Sequence, residues 1–305
     1  MFEKLGIVTN IWAKRMESGD QFQELAVQFG QDGFQHLEVR DGDYLRNSEF
    51  GNLLQEIEAA IEVYTVDQWK DICEAVWNWN YKDWEILVKD NHKYLFNQTN
   101  EFVKRVSDLT LSYAISHSWL SFPSNLEVDS NQIRRAKQLA YLLCPHQARL
   151  RLVDLESSVE HNPEIAAANL QRYQSLLPSY PIVFAVENAK QPAIQILDLV
   201  KESSLFLTYD EANVYQSDGT TIEDLEIFWQ EVEMEDLTSV HFKQKASQGV
   251  LNQVKDGFVD FRAIIRRLDQ NGYTGDLLLE NAPSDQPLED AIKSREYLYL
   301  QRCRA

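Results

Sequence analysis

The chain has 305 residues, enough for one large core, and its 44% hydrophobic content suits a folded chain. A formal charge of -19 excludes a nucleic-acid phosphate partner unless basic residues gather locally, and the densest cluster, Arg262, Arg266 and Arg267, falls on one solvated helical pattern. Three scattered cysteines, Cys73, Cys144 and Cys303, form no CxxC pair and so indicate neither a disulfide framework nor a zinc knuckle, and no apolar run nears the roughly 18 residues of a membrane span. Met1-Phe2-Glu3-Lys4 leads into a strand with no secretion signal, which makes the cytoplasm the expected compartment.

Leu5-Gly6-Ile7-Val8-Thr9 reads as the first strand, with Asn10, Ile11 and Trp12 just past its end. A helix over residues 21–29 follows, with Asp20 as its expected N-cap and Phe22, Leu25, Ala26 and Phe29 on one face. Gly33-Phe34 turns the chain into a second strand, Leu37-Glu38-Val39-Arg40, the hand-over that a repeated strand–helix unit requires. Residues 41–98 break the regularity. They carry helical patterns at Leu53, Leu54, Ile57, Ala60 and Ile61 and over residues 69–77, then the aromatic run Trp77, Trp79, Tyr81 and Trp84. So many large apolar residues argue for a helical insertion, serving either as a lid or pocket wall or as a local mini-core or subunit contact.

After a helix near residues 100–106, the third strand covers 109–115 and ends at Ser116-His117-Ser118-Trp119. A helix over 133–143 leads to the fourth strand, 148–153, where Arg149 and Arg151 point the same way. If that way is inward they need acidic partners, and Glu187 is one candidate. A helix over 163–177 starts with Asn162 and Pro163, a favourable cap and first-turn pair.

Four further apolar runs each end in a residue able to bind a hard cation. These are Ile182-Val183-Phe184-Ala185-Val186 before Glu187, Leu205-Phe206-Leu207-Thr208-Tyr209 before Asp210, Leu237-Thr238-Ser239-Val240 before His241, and Leu277-Leu278-Leu279 before Glu280. Helices near residues 193–201, 222–232, 261–270 and 288–300 alternate with them. Eight strands alternating with helices close a (β/α)8 TIM barrel, here a single domain over residues 1–305 with the Trp-rich segment 41–98 inserted after the second strand. An open doubly wound sheet would want a GxGxxG turn, and Thr9-Asn10-Ile11-Trp12 offers none.

Parallel strands of one barrel end on one face, so Glu187, Asp210, His241 and Glu280 are expected to converge there. Three carboxylates and one imidazole favour Mn²⁺ or Mg²⁺, with Co²⁺, Fe²⁺ or Zn²⁺ also compatible. Beside a sugar such an ion polarises a carbonyl and its neighbouring hydroxyl and stabilises an enediolate. Each strand-terminal residue taken alone reads as a cap or loop anchor, and it is the succession of four that points to a metal site.

The stretches Phe184-Ala185-Val186-Glu187-Asn188, Leu207-Thr208-Tyr209-Asp210-Glu211-Ala212-Asn213, Val240-His241-Phe242-Lys243, Lys255-Asp256-Gly257-Phe258-Val259-Asp260-Phe261 and Gly272-Tyr273-Thr274-Gly275-Asp276-Leu277-Leu278-Leu279-Glu280 carry a family resemblance. Through them the chain resembles the xylose isomerase-like sugar phosphate isomerase/epimerase superfamily, which includes AP endonuclease family 2 barrels. The resemblance implies that Glu187, Asp210, His241 and Glu280 hold one divalent ion and that Glu187 and Glu280 exchange protons with a ketose. It also implies that Asp260 caps a helix after the Gly257 turn. Two residues depart from the pattern. Asn213 stands where many relatives carry histidine, and Gln244 where many carry aspartate; neither is an acid or base near neutral pH.

Glu38, His117, Lys243, Asn213 and Trp12 complete the candidate substrate contacts, with buried structural roles as their alternatives. The leading expectation is a metal-dependent isomerase or epimerase acting on a small sugar or polyol, with a homo-oligomer compatible and neither nucleic acid nor membrane as partner. An inosose- or dehydroshikimate-type dehydratase and a non-catalytic ligand-binding barrel stand as alternatives.

Overall fold

Eight short apolar runs pair edge to edge in chain order and close on themselves. The computed structural model describes residues 5–78, 80–116, 126–144, 148–153 and 163–304. The barrel strands are β1 (Leu5–Val8), β2 (His36–Arg40), β3 (Thr110–Ser116), β4 (Arg149–Val153), β5 (Val183–Glu187), β6 (Phe206–Asp210), β7 (Leu237–Phe242) and β8 (Asp276–Leu279). All neighbours are parallel, and closure pairs Leu5 with Leu277 and Ile7 with Leu279. This is the expected (β/α)8 barrel, with helices between the strands. Among the described residues no helix is long and apolar enough to cross a membrane.

Helical spacing explains the outer layer. Phe261, Ile264, Ile265 and Leu268 are the buried face of the helix Phe261–Gln270, and Ala193, Ile196, Leu197 and Val200 that of Ala193–Glu202. Asp260 caps the former, accepting the Ala263 N–H at 3.1 Å. The helix Phe22–Gln31 differs from expectation, because Gln21 is its N-cap residue and makes no side-chain cap. Asp20 pairs with Arg15 at 2.5 Å instead, an ion pair that competes for its carboxylate. Trp12 also departs from its expected place at the substrate. It is fully buried and packs on Phe22 and Phe29 with ring centroids 5.3 and 5.2 Å away, so it belongs to the core.

Between β2 and β3 the chain forms the helices Asp43–Arg46, Glu49–Ile61, Val66–Trp77, Tyr81–Leu87 and Lys93–Arg105. Trp69 is fully buried, and its indole donates to Gln138 O at 3.2 Å; Trp77 donates to Leu142 O at 2.8 Å. Both ties run to the helix Leu126–Leu143, so these two tryptophans pack rather than wall a pocket. Trp79, His117, Ser118, Trp119, Asp154, Glu156 and Asn162 lie outside the described residues.

The loop after β7 turns on a close approach. A Cβ at Gly257 would stand 2.4 Å from the Gln244 side chain. Gln244 in turn is buried and holds the Val259 backbone from both sides, accepting its N–H at 2.9 Å and donating to its carbonyl at 3.2 Å. Gly257→Ala is therefore expected to cost about 1–3 kcal/mol, measured by denaturant unfolding. A wild-type midpoint would show that the loop yields freely.

Candidate metal centre

The barrel lumen is polar. Arg151 on β4 reaches Glu38 on β2 past the intervening β3, with Nε–Oε1 at 2.9 Å and Nη2–Oε1 at 2.5 Å, and its Nη1 also pairs with Glu187. Such contacts run across the inside of a closed barrel. The two fourth-strand arginines therefore do point inward, and each has acidic company. Arg151 holds Glu187 as expected, and Arg149 pairs with Asp276, whose Oδ2 also lies 3.2 Å from His36 Nδ1. Burial, reinforced by the Arg149 charge, pushes the His36 imidazole down to about 3, so it is neutral at physiological pH.

The carboxyl ends of β5 to β8 gather the four predicted ligands. One donor atom from each of Glu187, Asp210, His241 and Glu280 lies within 4.8 Å of the others, and all four side chains are buried. Donors bonded at about 2.0–2.2 Å to one divalent ion lie about 3–4.4 Å apart, so the four side chains would close in by up to about an ångström or more to share a cation. His241 turns Nδ1 toward Glu280 Oε2 at 3.2 Å and Glu187 Oε1 at 3.9 Å, while Nε2 faces Glu38 Oε1 at 3.7 Å. Nδ1 thus faces the other candidate ligands, while Nε2 is buried without a hydrogen-bond partner, Glu38 being the carboxylate it faces. Asp210 Oδ2 is buried without a hydrogen-bond partner, although Lys243 Nζ is 2.5 Å away, whereas Oδ1 caps the following turn through Ala212 N at 2.9 Å. The donor set fits a hard divalent cation.

Neighbouring groups hold these ligands in place. Asn188 brackets Asp210 by accepting its N–H at 2.8 Å and donating to its carbonyl at 2.9 Å, which ties the ends of β5 and β6 together. Asn213 donates to Glu187 Oε1 at 3.0 Å. Lys243 reaches Glu280 Oε2 at 2.9 Å, and Arg40 reaches Glu280 Oε1 at 2.9 Å.

Electrostatics divide the carboxylates. Burial works to raise Glu280, but Lys243, the His241 hydrogen bond and Arg40 outweigh it and hold this carboxyl well below the usual range. Asp210 goes the other way: burial, helped by Glu280 and Glu187 and opposed by Lys243, pushes it up to about 6. For His241, burial opposes the charged form, yet the hydrogen bond and charge of Glu280 win and raise its pKa.

Lys243 and Asn213 thus lie at the cage, on Glu280 and Glu187 respectively. Glu38 is buried beneath it, bound to Arg151, where the alternative of a structural hydrogen-bonding residue holds, and Gln244 is a loop anchor. Arg40 is the contact that sequence reasoning missed. The signal was present in the two-residue alternation His36, Glu38, Arg40, which puts Arg40 on the same inward face as Glu38.

Beside the cage, buried Glu211 accepts hydrogen bonds from Tyr209 Oη at 3.1 Å and Trp229 Nε1 at 3.3 Å, and burial pushes its carboxyl from 4.5 to about 7. A carboxyl that binds its proton more tightly when folded contributes its full stability below the unfolded pKa and loses it as pH rises through the folded one. Glu211→Gln should therefore flatten the fall in stability between pH 4.5 and 7 by on the order of 3 kcal/mol, read from denaturant titrations across that window. An unchanged slope would contradict the assignment.

No protein-family model matches the sequence. An inosose dehydratase of Clostridium perfringens is 30% identical over 121 residues, 34% of this chain, and the match spans only 40% of that protein's length. Among solved structures, a xylose isomerase domain-containing protein of Salmonella typhimurium superposes with a TM-score of 0.64 at 13% identity, covering 98% of each chain. A D-allulose 3-epimerase of Methylomonas sp. gives 0.60 at 14% identity, covering 98% of this chain and 97% of its own. The IolI protein, solved with a zinc atom, gives 0.59 at 11% identity over 99% and 98%. The chain thus has the barrel fold of the xylose isomerase-like proteins, a fold shared by sugar phosphate isomerase/epimerases and AP endonucleases of family 2.

Proposed function

We propose that this chain is a divalent-metal-dependent isomerase or epimerase of a small sugar or polyol, moving a proton on carbon next to a carbonyl through an enediolate. The observation that carries the reading is the buried cage of Glu187, Asp210, His241 and Glu280 at the carboxyl ends of four successive barrel strands. Mn²⁺ suits this donor set best, with Mg²⁺, Co²⁺, Fe²⁺ or Zn²⁺ compatible. When bound, the ion supplies polarisation of the substrate carbonyl and its adjacent hydroxyl.

The chain's own groups supply the proton transfer. Glu187 and Glu280 come from strand ends separated by β6 and β7, an origin that suits approach to a substrate carbon from two sides. Each already accepts from cationic partners, Glu187 from Arg151 and Glu280 from Arg40 and Lys243. These contacts lower the basicity of each carboxylate, and Glu280 gains basicity when the Lys243 ammonium moves off its Oε2, whereas Glu187 keeps Arg151 on Oε2 and acts through Oε1. Asn213, on Glu187, and Lys243, on Glu280, are placed to meet substrate hydroxyls as they leave those carboxylates. A possible lid role for residues 41–98 loses support from the packing of Trp69 and Trp77.

A second reading, an inosose-type dehydratase, draws on the partial match to the Clostridium perfringens enzyme. It shares the first proton abstraction and differs in the hydroxyl that then leaves. Protein loaded with Mn²⁺ and incubated with ketoses and inososes in D₂O separates the two by NMR. Deuterium entering a carbon next to the carbonyl without loss of water is the expected result; loss of water establishes the dehydratase. Ligand binding with neither change would overturn both.

A further inference from the structure

The side chain of Lys243 shares its carboxylates with the proposed ion. Its Nζ lies 2.5 Å from Asp210 Oδ2 and 2.9 Å from Glu280 Oε2, bridging two of the four candidate ligands. A divalent ion that binds the same two oxygens must lie beside the same ammonium, and among side chains this buried the repulsion between them is weakly screened. Ion and ammonium therefore compete for these contacts.

The surroundings decide which one yields. Four carboxylates, Glu38, Glu187, Asp210 and Glu280, face three basic side chains, Arg40, Arg151 and Lys243, around His241. Arg151 is locked between Glu38 and Glu187 with 2% of its side chain exposed, so it has nowhere to go. Lys243 retains 11% exposure and a flexible stem, and Arg40, with 15%, can keep Glu280 Oε1 after the ammonium leaves Oε2.

We propose that Lys243 is an internal counter-cation of the cage, which neutralises Asp210 and Glu280 until a divalent ion displaces it and turns its ammonium toward substrate oxygens. This rests on reading the four residues as a metal centre. It adds that Lys243 sets the affinity of the centre and couples metal loading to formation of the substrate pocket. The ion then takes over the carboxylate charge that the ammonium had balanced, while the released lysine becomes a donor on the Glu280 side of the mouth.

Calorimetric titration of chelator-stripped protein with MnCl₂ tests it. Lys243→Met is expected to bind Mn²⁺ on the order of tenfold more tightly than wild type, because no cation has to be displaced, while Lys243→Arg, which keeps the charge, gains nothing. Equal or weaker binding by Lys243→Met overturns the proposal. Should Lys243→Met not fold, crystals of the wild type grown with Mn²⁺ decide: Nζ is expected beyond about 4 Å from Asp210 Oδ2, and an ammonium still bridging both carboxylates beside a bound ion overturns it. Mn²⁺ taken up by neither protein overturns the metal reading itself, a result distinct from uptake with equal affinities.

Discussion

Glu187→Gln and Glu280→Gln are each expected to reduce proton exchange at the substrate carbon by about a hundred- to ten-thousandfold while leaving the barrel folded. An amide keeps the size and one acceptor oxygen of the carboxylate but cannot take a proton from carbon near neutral pH. The folded state tolerates both changes because the cations involved keep other partners. Arg151 retains Glu38 when Glu187 is changed, and Lys243 retains Asp210 when Glu280 is changed. Both residues are also candidate ligands, so exchange is to be measured at saturating Mn²⁺, with bound metal determined in parallel. A variant that binds the ion and exchanges at the wild-type rate would remove that glutamate from the chemistry.

The largest expected loss of stability comes from Arg151→Met. Its guanidinium stands between Glu38 and Glu187, and all three side chains are at most 4% exposed. Removing it leaves two carboxylates facing each other in the lumen without their shared counter-charge, a change that costs about 3–5 kcal/mol for buried ion pairs. Denaturant unfolding of metal-free protein measures this directly. Mn²⁺ should recover part of the loss, since an ion that binds only the folded chain stabilises it by mass action. Arg151→Lys should fall short of wild type as well, because a single ammonium cannot fork two carboxylates as a planar guanidinium does. A loss below about 1 kcal/mol would place the Glu38–Arg151–Glu187 contact among ion pairs of little energetic consequence.

The parts of this arrangement that were legible in the sequence are those in which a local pattern carries spatial information. Short apolar runs ending in Glu187, Asp210, His241 and Glu280 marked strand, direction and the convergence of the four side chains together, because all parallel strands of a barrel deliver their last residues to one face. Arg151 was legible for a related reason: inward arginines require acids, and Glu187 ends the adjacent strand.

Contacts that depend on which helix or loop packs where were not legible. Trp12, just past a strand end, was open to a substrate role until Phe22 and Phe29 enclosed it. Gln244 looked like a damaged site residue, and only the fold of the loop brings it to the Val259 backbone. Arg40 and Glu280 are 240 positions apart, and their contact follows from closure of β8 on β1. Asp20 satisfies a capping preference in sequence, but a nearby guanidinium takes its carboxylate.

The central claim is that one divalent ion sits among four side chains delivered by four strands. Anomalous diffraction at the manganese edge, from crystals grown with Mn²⁺, tests it most directly. A single strong peak is expected about 2.0–2.4 Å from a carboxylate oxygen of Glu187, Asp210 and Glu280 and from His241 Nδ1. A peak bound elsewhere, or a cage that stays empty while its carboxylates remain paired with Arg40, Arg151 and Lys243, would contradict it.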